Sequence, residues 1–409
     1  MPLRTDDQTP TFGRRVRRLR ERAGMTRPVL GGLVGRSAEW VKAIECGRLG
    51  TPRLSLLLRL ADVLGVADLA ELTGEERLAA ATYTKAAHAG LPAVSGALTS
   101  YQLAPRDEEP ESVPALLGRV AEGWRLWHGR GDHRTRVAAL LPDLLADVQH
   151  AARAREGTER RQAQAALAET YHLAQLFLSF QPAPELVMLT GDRALSAAQD
   201  ADSPRAIAGA AWYMNHVFRD AGERHEARVD LAMRAASLLT PDRDADARAR
   251  WGLLHLAAAL SFAKVGRRGD AERYWDEADR AARMLGDDYT HPYLVFGRAM
   301  VDAYAITLRA DLVQSREAVT VADSVDVSGM PSATRRAFHT LEGARAYSMQ
   351  REPLAVVHLL KQAWKMSPET VRYNVFARGA VGELAARGPV TARADAEVLR
   401  ARMGVPAAA

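Results

Sequence analysis

The residues best placed for recognition chemistry lie between Gly35 and Pro52: Gly-Arg-Ser-Ala-Glu-Trp-Val-Lys-Ala-Ile-Glu-Cys-Gly-Arg-Leu-Gly-Thr-Pro. Gly35 permits a tight turn, and serine, the type at 37, caps helices by accepting a backbone N–H. One short helix follows, with Val41 and Ile44 on one face; then come Glu45, a stop at Gly47 and basic residues. Upstream lies a second short helix that Thr26 can cap. Two short helices joined by a tight glycine-containing turn predict a helix-turn-helix, whose second helix lies in a DNA major groove.

The elements that must hold this motif read outward from it. Helices are expected over Gly13–Ala23, Arg27–Val34, Ala38–Glu45 and Leu54–Leu64, the last ended by Gly65-Val66. Val16, Leu19, Leu30, Leu33, Val41, Ile44, Leu57, Leu60, Ala61 and Leu64 recur at helical spacing and predict one small core. From about Phe12 to Leu72 the chain resembles the phage-repressor-type (Cro/Xre) helix-turn-helix family.

That resemblance implies roles. It directs Ala38, Glu39, Trp40, Lys42 and Ala43 toward base edges; a carboxylate such as Glu39 accepts from a cytosine amino group, and an alanine methyl meets a thymine methyl. It puts Thr26, Arg27, Arg48 and Arg53 where relatives grip phosphates. Arg20 and Glu45 occupy positions that pair in relatives as a structural salt bridge, so they are assigned to the fold. The chain departs from the family in having small Ala38 and Ala43, a large Trp40, and Gly31-Gly32 inside a helix. Each such glycine weakens the helix by roughly 1 kcal/mol, although glycine also permits close approach of helices.

Charge agrees with a DNA partner. Residues 1–74 hold 13 Lys+Arg and 8 Asp+Glu, a net of +5, which equals the net charge of all 409 residues. A local basic excess attracts phosphate and releases counterions. A single cysteine, Cys46, excludes an intramolecular disulfide framework and suits a reducing cytoplasm. The N-terminal residues lack a signal-peptide run, and no 18 consecutive apolar residues are present to span a membrane.

Beyond Gly74 the sequence is rich in alanine and leucine, almost free of β-branched alternation, and shows no credible sheet. The expected division is a DNA-binding unit over 1–74, connecting helices and a proline-broken linker over 75–111, and helix pairs over 112–409. Aromatics near the ends of first helices fall at Phe177, Phe218, Phe262, Tyr304 and Tyr347, at spacings of 41, 44, 42 and 43. Small residues recur in the second helices, notably Ala227, Ala271 and Ala355. The unit Phe262-x3-Gly266-x4-Ala271-x3-Trp275-x2-Ala278 resembles a tetratricopeptide-type repeat with a lengthened period. The fold class expected is all-α: a helix-turn-helix domain followed by a tetratricopeptide-like α-solenoid. In such a solenoid the first helices line a concave face, which in this register carries His172, Gln175, Trp212, His216, Arg219, Lys264, Arg298 and Asp302.

Catalytic signals are missing. No Gly-x4-Gly-Lys-Ser/Thr loop cradles phosphate, no His-Glu-x2-His binds metal, and Gly266-Arg267-Arg268-Gly269-Asp270 reads as a turn between helices. His128 and His133 lack a third ligand, and Trp124, Trp127 and His128 share the spacing of a buried face. The expectation is a cytoplasmic regulator, not an enzyme, with no cofactor, metal or membrane. It would bind double-stranded operator DNA as a homodimer, and its repeats would take a peptide or small-molecule signal. The alternative is that the repeats bind a protein partner or only dimerise. A continuous apolar groove would favour the partner, and a closed pocket with buried polar groups would favour the signal.

Overall fold

The computed structural model describes residues 11–74, 85–101, 103, 106–129, 131–219 and 225–406, with only the backbone of 216–219. All regular structure among these residues is helical.

The head comprises α1 (Phe12–Arg22), α2 (Arg27–Val34), α3 (Ala38–Glu45), α4 (Leu54–Val63) and the short α5 (Ala70–Thr73). Val16, Leu19, Leu30, Val41, Ile44, Leu57, Leu60, Ala61 and Leu64 are buried together, as their spacing predicts. Leu33 is the exception: it is 54% exposed, and Val34 is buried in its place. The cause is Gly31. A Cβ there would fall 2.8 Å from the Arg36 carbonyl oxygen, so this face of α2 must point at the turn into α3. Val34 lies three residues on, on the same face, and Leu33 is turned outward. Gly13 plays the matching part in α1, where a Cβ would lie 2.2 Å from the Ile44 carbonyl oxygen. Two glycines thus let α1 and α2 close on the backbone at either end of α3.

The body begins with α6 (Leu91–Thr99), whose Val94 and Leu98 are buried in the body's core. It continues through α7 (Val113–Gly129), α8 (His133–Ala154), α9 (Gly157–Leu178), α10 (Pro184–Asp200), α11 (Pro204–Arg219) and α12 (His225–Ser237). Next come α13 (Ala245–Lys264), α14 (Arg268–Leu285), α15 (Arg298–Asp311), α16 (Ser315–Ser324), α17 (Ala333–Met349) and α18 (Pro353–Met366). The chain closes with α19 (Pro368–Tyr373), α20 (Val375–Arg387) and α21 (Val390–Met403). Neighbours in sequence pack on one another through short turns, as in a helical-repeat array.

Phe177, Phe262 and Tyr304 are buried as the period requires, and Ala271 and Ala278 are fully buried in α14. Tyr347 is half-buried, its hydroxyl donating to Asp323 Oδ1 at 2.5 Å. Phe218 falls outside the described side chains. The small-residue expectation needs correcting in two helices. Ala227 is exposed and Ala355 half-buried; Val229, Ala232, Ala235 and Ala236 supply the buried face of α12.

The array also bends until distant helices meet. α7 packs on α17, and His128 sits between them: Ser332 Oγ lies 2.9 Å from its Nδ1 and the Tyr293 carbonyl 2.8 Å from its Nε2. Burial pushes the His128 imidazole down to about 4. Glu369 accepts from Arg134 N at 2.6 Å and Thr135 N at 3.2 Å, satisfying orphan donors at the start of α8 from 235 residues away.

Candidate nucleic-acid interface

The recognition surface starts from two caps. Thr26 Oγ1 accepts from Val29 N at 3.4 Å, and Pro28 stands in the first turn of α2. Gly35 ends α2 at φ 69°. Ser37 Oγ accepts from Trp40 N at 3.0 Å and starts α3. These turns bring the end of α1, the start of α2 and one face of α3 around an open groove of about 570 Å³. Ala38, Glu39, Lys42, Thr26 and Arg27 line it, as do Arg17 and Glu21. Glu39 and Lys42 are exposed and Ala38 is half-exposed, so their side chains are available to a base edge.

Behind the groove lies an ion-pair network. Arg20 Nε donates to Glu45 Oε1 at 2.5 Å, Arg27 Nε donates to Oε2 at 2.7 Å, and Arg20 Nη1 donates to the Met25 carbonyl at 2.7 Å. The Glu45 side chain is 2% exposed. Arg27 is therefore partly spent on the fold; it remains 37% exposed. Arg17 bonds Glu21 at 2.8 Å and holds its carboxyl below the usual carboxylate range. Arg17 was missed in the sequence, where it reads as one of many arginines in the first helix.

Two of the base-facing expectations change. Ala43 is fully buried, beside the end of α3 where Arg351 Nη2 donates to the Cys46 and Gly47 carbonyls at 3.0 and 3.4 Å. Trp40 packs against the head core, with the Arg36 guanidinium 5.9 Å from its ring centroid. A residue so large in the first turn of α3 fills space against the core. Arg53 is exposed. Arg48 is half-buried and donates to Cys46 Sγ at 3.3 Å. Partial burial raises the Cys46 thiol, and its bonds with Arg48 outweigh this, leaving it below its ordinary value.

The eight body candidates do not form one open face. His172, Gln175 and Trp212 are buried to within 1%. His172 Nδ1 lies 3.3 Å from Glu169 Oε2, its ring lies 4.6 Å from Tyr213, and Trp212 meets Tyr304 edge-on at 6.3 Å. The helices carrying them close over this face, and inside it His172 Nε2 and both polar atoms of the Gln175 amide are buried without a hydrogen-bond partner among the described residues. Lys264 bonds Asp311 at 3.4 Å. Arg298 reaches Asp279 on the neighbouring α14 at 2.7 Å and Asp302 on its own helix at 3.0 Å. His216 and Arg219 lie outside the described side chains. A second groove, of about 310 Å³, lies elsewhere, between α8, α9, α10 and Ser100–Tyr101.

Residues 11–73 match the family model of a helix-turn-helix domain. Among solved structures, the chain is similar to a Rap protein complexed with competence and sporulation factor, at 11% identity and a TM-score of 0.40, over 72% of this chain and 88% of that one. It is also similar to BtubC from P. vanneervenii, at 14% identity and a TM-score of 0.32, over 62% of this chain and 91% of that one. A search of curated proteins finds no match. No described helix is long and apolar enough to cross a membrane, and no group of three or more His, Cys, Asp or Glu among the described residues could hold a metal.

Proposed function

We propose that this chain is a sequence-specific DNA-binding transcription regulator, its head of the Cro/Xre kind, and that its body couples a signal to the head. The observation that carries the reading is the groove in which Ala38, Glu39 and Lys42 of α3 stand open beside Thr26 and Arg27. In this reading Glu39 and Lys42 read bases, while Thr26, Arg27, Arg48 and Arg53 grip phosphate. The protein acts as a homodimer on two half-sites, and its role is regulatory, not enzymatic. The body is of the tetratricopeptide type and takes a peptide or small-molecule signal. The alternative, in which the body binds a protein or only dimerises, calls for a continuous apolar groove; the burial of the polar His172 and Gln175 accords instead with a signal.

The test is the salt dependence of duplex binding. Three arginines in each of two heads make Z about six, so log K should fall against log salt with a slope of about −5. Binding that does not respond to salt between low and physiological concentration removes the phosphate contacts from the reading.

A further inference from the structure

The recognition helix is held at both ends by the body. Ser37, its N-cap, is 5% exposed, and it lies against Gly266 in the α13–α14 turn, where a Cβ would fall 2.3 Å from Ser37 Cβ. At the other end Arg351, in the α17–α18 turn, donates to the Cys46 and Gly47 carbonyls. Between them Leu49 packs on the head core and also against a body cluster of Ile306, Ala310, Ala318, Ala346 and Met349, together with Val313 from the α15–α16 turn. Three alternate turns of the array thus meet the residues that flank one short helix, and Ala43 is fully buried beside its held end.

These turns share a backbone conformation. Gly266, Val313 and Arg351 all have φ in the left-handed region, at 77°, 61° and 62°. Only the first is glycine. A β-branched valine there is a steric outlier, and arginine is strained. Glycine would relax both positions. The side chains present instead are the ones that touch the head: Val313 completes the patch under Leu49, and Arg351 caps the carbonyls that end α3.

We infer that the body carries a docking surface for its own head, formed by the turns at Gly266, Val313 and Arg351, and that the docked head cannot seat on DNA. This rests on the proposal that α3 reads a duplex. The major groove is about 12 Å wide, and an α-helix with its side chains about 10–12 Å across. A helix in the groove therefore has phosphate walls on both flanks. On the flank of Ser37, Gly47 and Leu49 that place is taken by the body. Docking and groove entry compete for one side of one helix, so release of the head is the step by which the body controls binding.

The full-length chain tests this with two variants. Val313→Gly with Arg351→Gly removes both side chains and relaxes two left-handed residues, so the body keeps its thermal stability or gains some. Gly266→Asn keeps a residue type tolerant of that conformation and drives a side chain into Ser37. In each, amide exchange across residues 36–49 should rise. Affinity for a random-sequence duplex at low salt should increase about tenfold, the scale of one charged hydrogen bond. Unchanged exchange in both variants overturns the docking. Raised exchange with unaltered duplex affinity overturns the competition. Raised exchange with no duplex bound by parent or variants overturns the DNA-binding reading and the competition with it, while the docking surface stands.

Discussion

Replacing Glu45 by alanine should loosen the head far more than removing either of its arginine partners. The structure sets the order. Glu45 receives Arg20 on one carboxylate oxygen and Arg27 on the other, and its side chain is 2% exposed. Without it, Arg20, whose side chain is 9% exposed, keeps the Met25 carbonyl and an edge contact with Glu21 at 3.4 Å. Removing one member of a buried pair costs roughly 3–5 kcal/mol, because the other charge stays desolvated. Arg20→Ala leaves Glu45 with Arg27, so its cost falls to roughly 1–3 kcal/mol. Arg27 is 37% exposed, and water replaces much of what it gives; Arg27→Ala should cost roughly 0–1 kcal/mol. Native-state amide exchange at Val41 and Ile44 reads these differences. At about 1.4 kcal/mol per decade, Glu45→Ala should lose at least about a hundredfold in protection. Equal protection in the Glu45 and Arg27 variants would refute the argument. So would loss of duplex binding with protection intact, which would make Glu45 a DNA contact.

Gly13→Ala should destabilise the head by roughly 1–3 kcal/mol, since the new Cβ would lie 2.2 Å from the Ile44 carbonyl and α1 would have to back away; urea unfolding followed in the head measures it. Glu39→Ala should change the base preference recovered by selecting duplexes from a random pool, with little change in total affinity; an identical selected motif removes Glu39 as a reader. Acid should weaken the body. His128 titrates near 4 when folded and near 6.5 when unfolded, so above 6.5 it has no effect, and below it the unfolded chain takes the proton first. Stability should drop by about 3 kcal/mol through His128 as pH falls from 6.5 to 4, and burial depresses His133 in the same direction. Chemical denaturation at a series of pH values checks this, and a His128→Leu variant with an undiminished fall would exclude His128 as a source.

The head was legible because its signals are local. Thr26, Ser37, Gly35 and Gly47 mark ends, and the apolar spacing marks one face. Even there Leu33 was misplaced, since a contact between Gly31 and the Arg36 backbone, not hydrophobicity, sets the rotation of α2. The body's period was legible from Phe177, Phe262 and Tyr304. Its inner face was not. Whether His172 and Trp212 face solvent depends on how far the array bends, and that is fixed by contacts such as Glu369 on the start of α8 and α7 on α17. No local pattern encodes pairings across 200 residues. Ala43 was misread as well: its burial beside the end of α3 follows from no local spacing.

The spacing of the docking turns gives the body a way to sense its own shape. Gly266 and Arg351 lie two helix pairs apart, yet they hold the two ends of one helix of 8 residues. Such a helix is about 12 Å long and stiff, with its backbone bonds closed on themselves. The turns ride on separate helix pairs, which meet through side-chain packing. A change in pitch between α13–α14 and α17–α18 leaves α3 matched to one turn and not the other. Leu49 then loses the patch that joins them, because its partners come from α15, α16 and α17 together. On the docking inferred above, the head would act as a gauge laid across three helix pairs: an event that alters curvature there would bear on whether the flank of α3 is held or free.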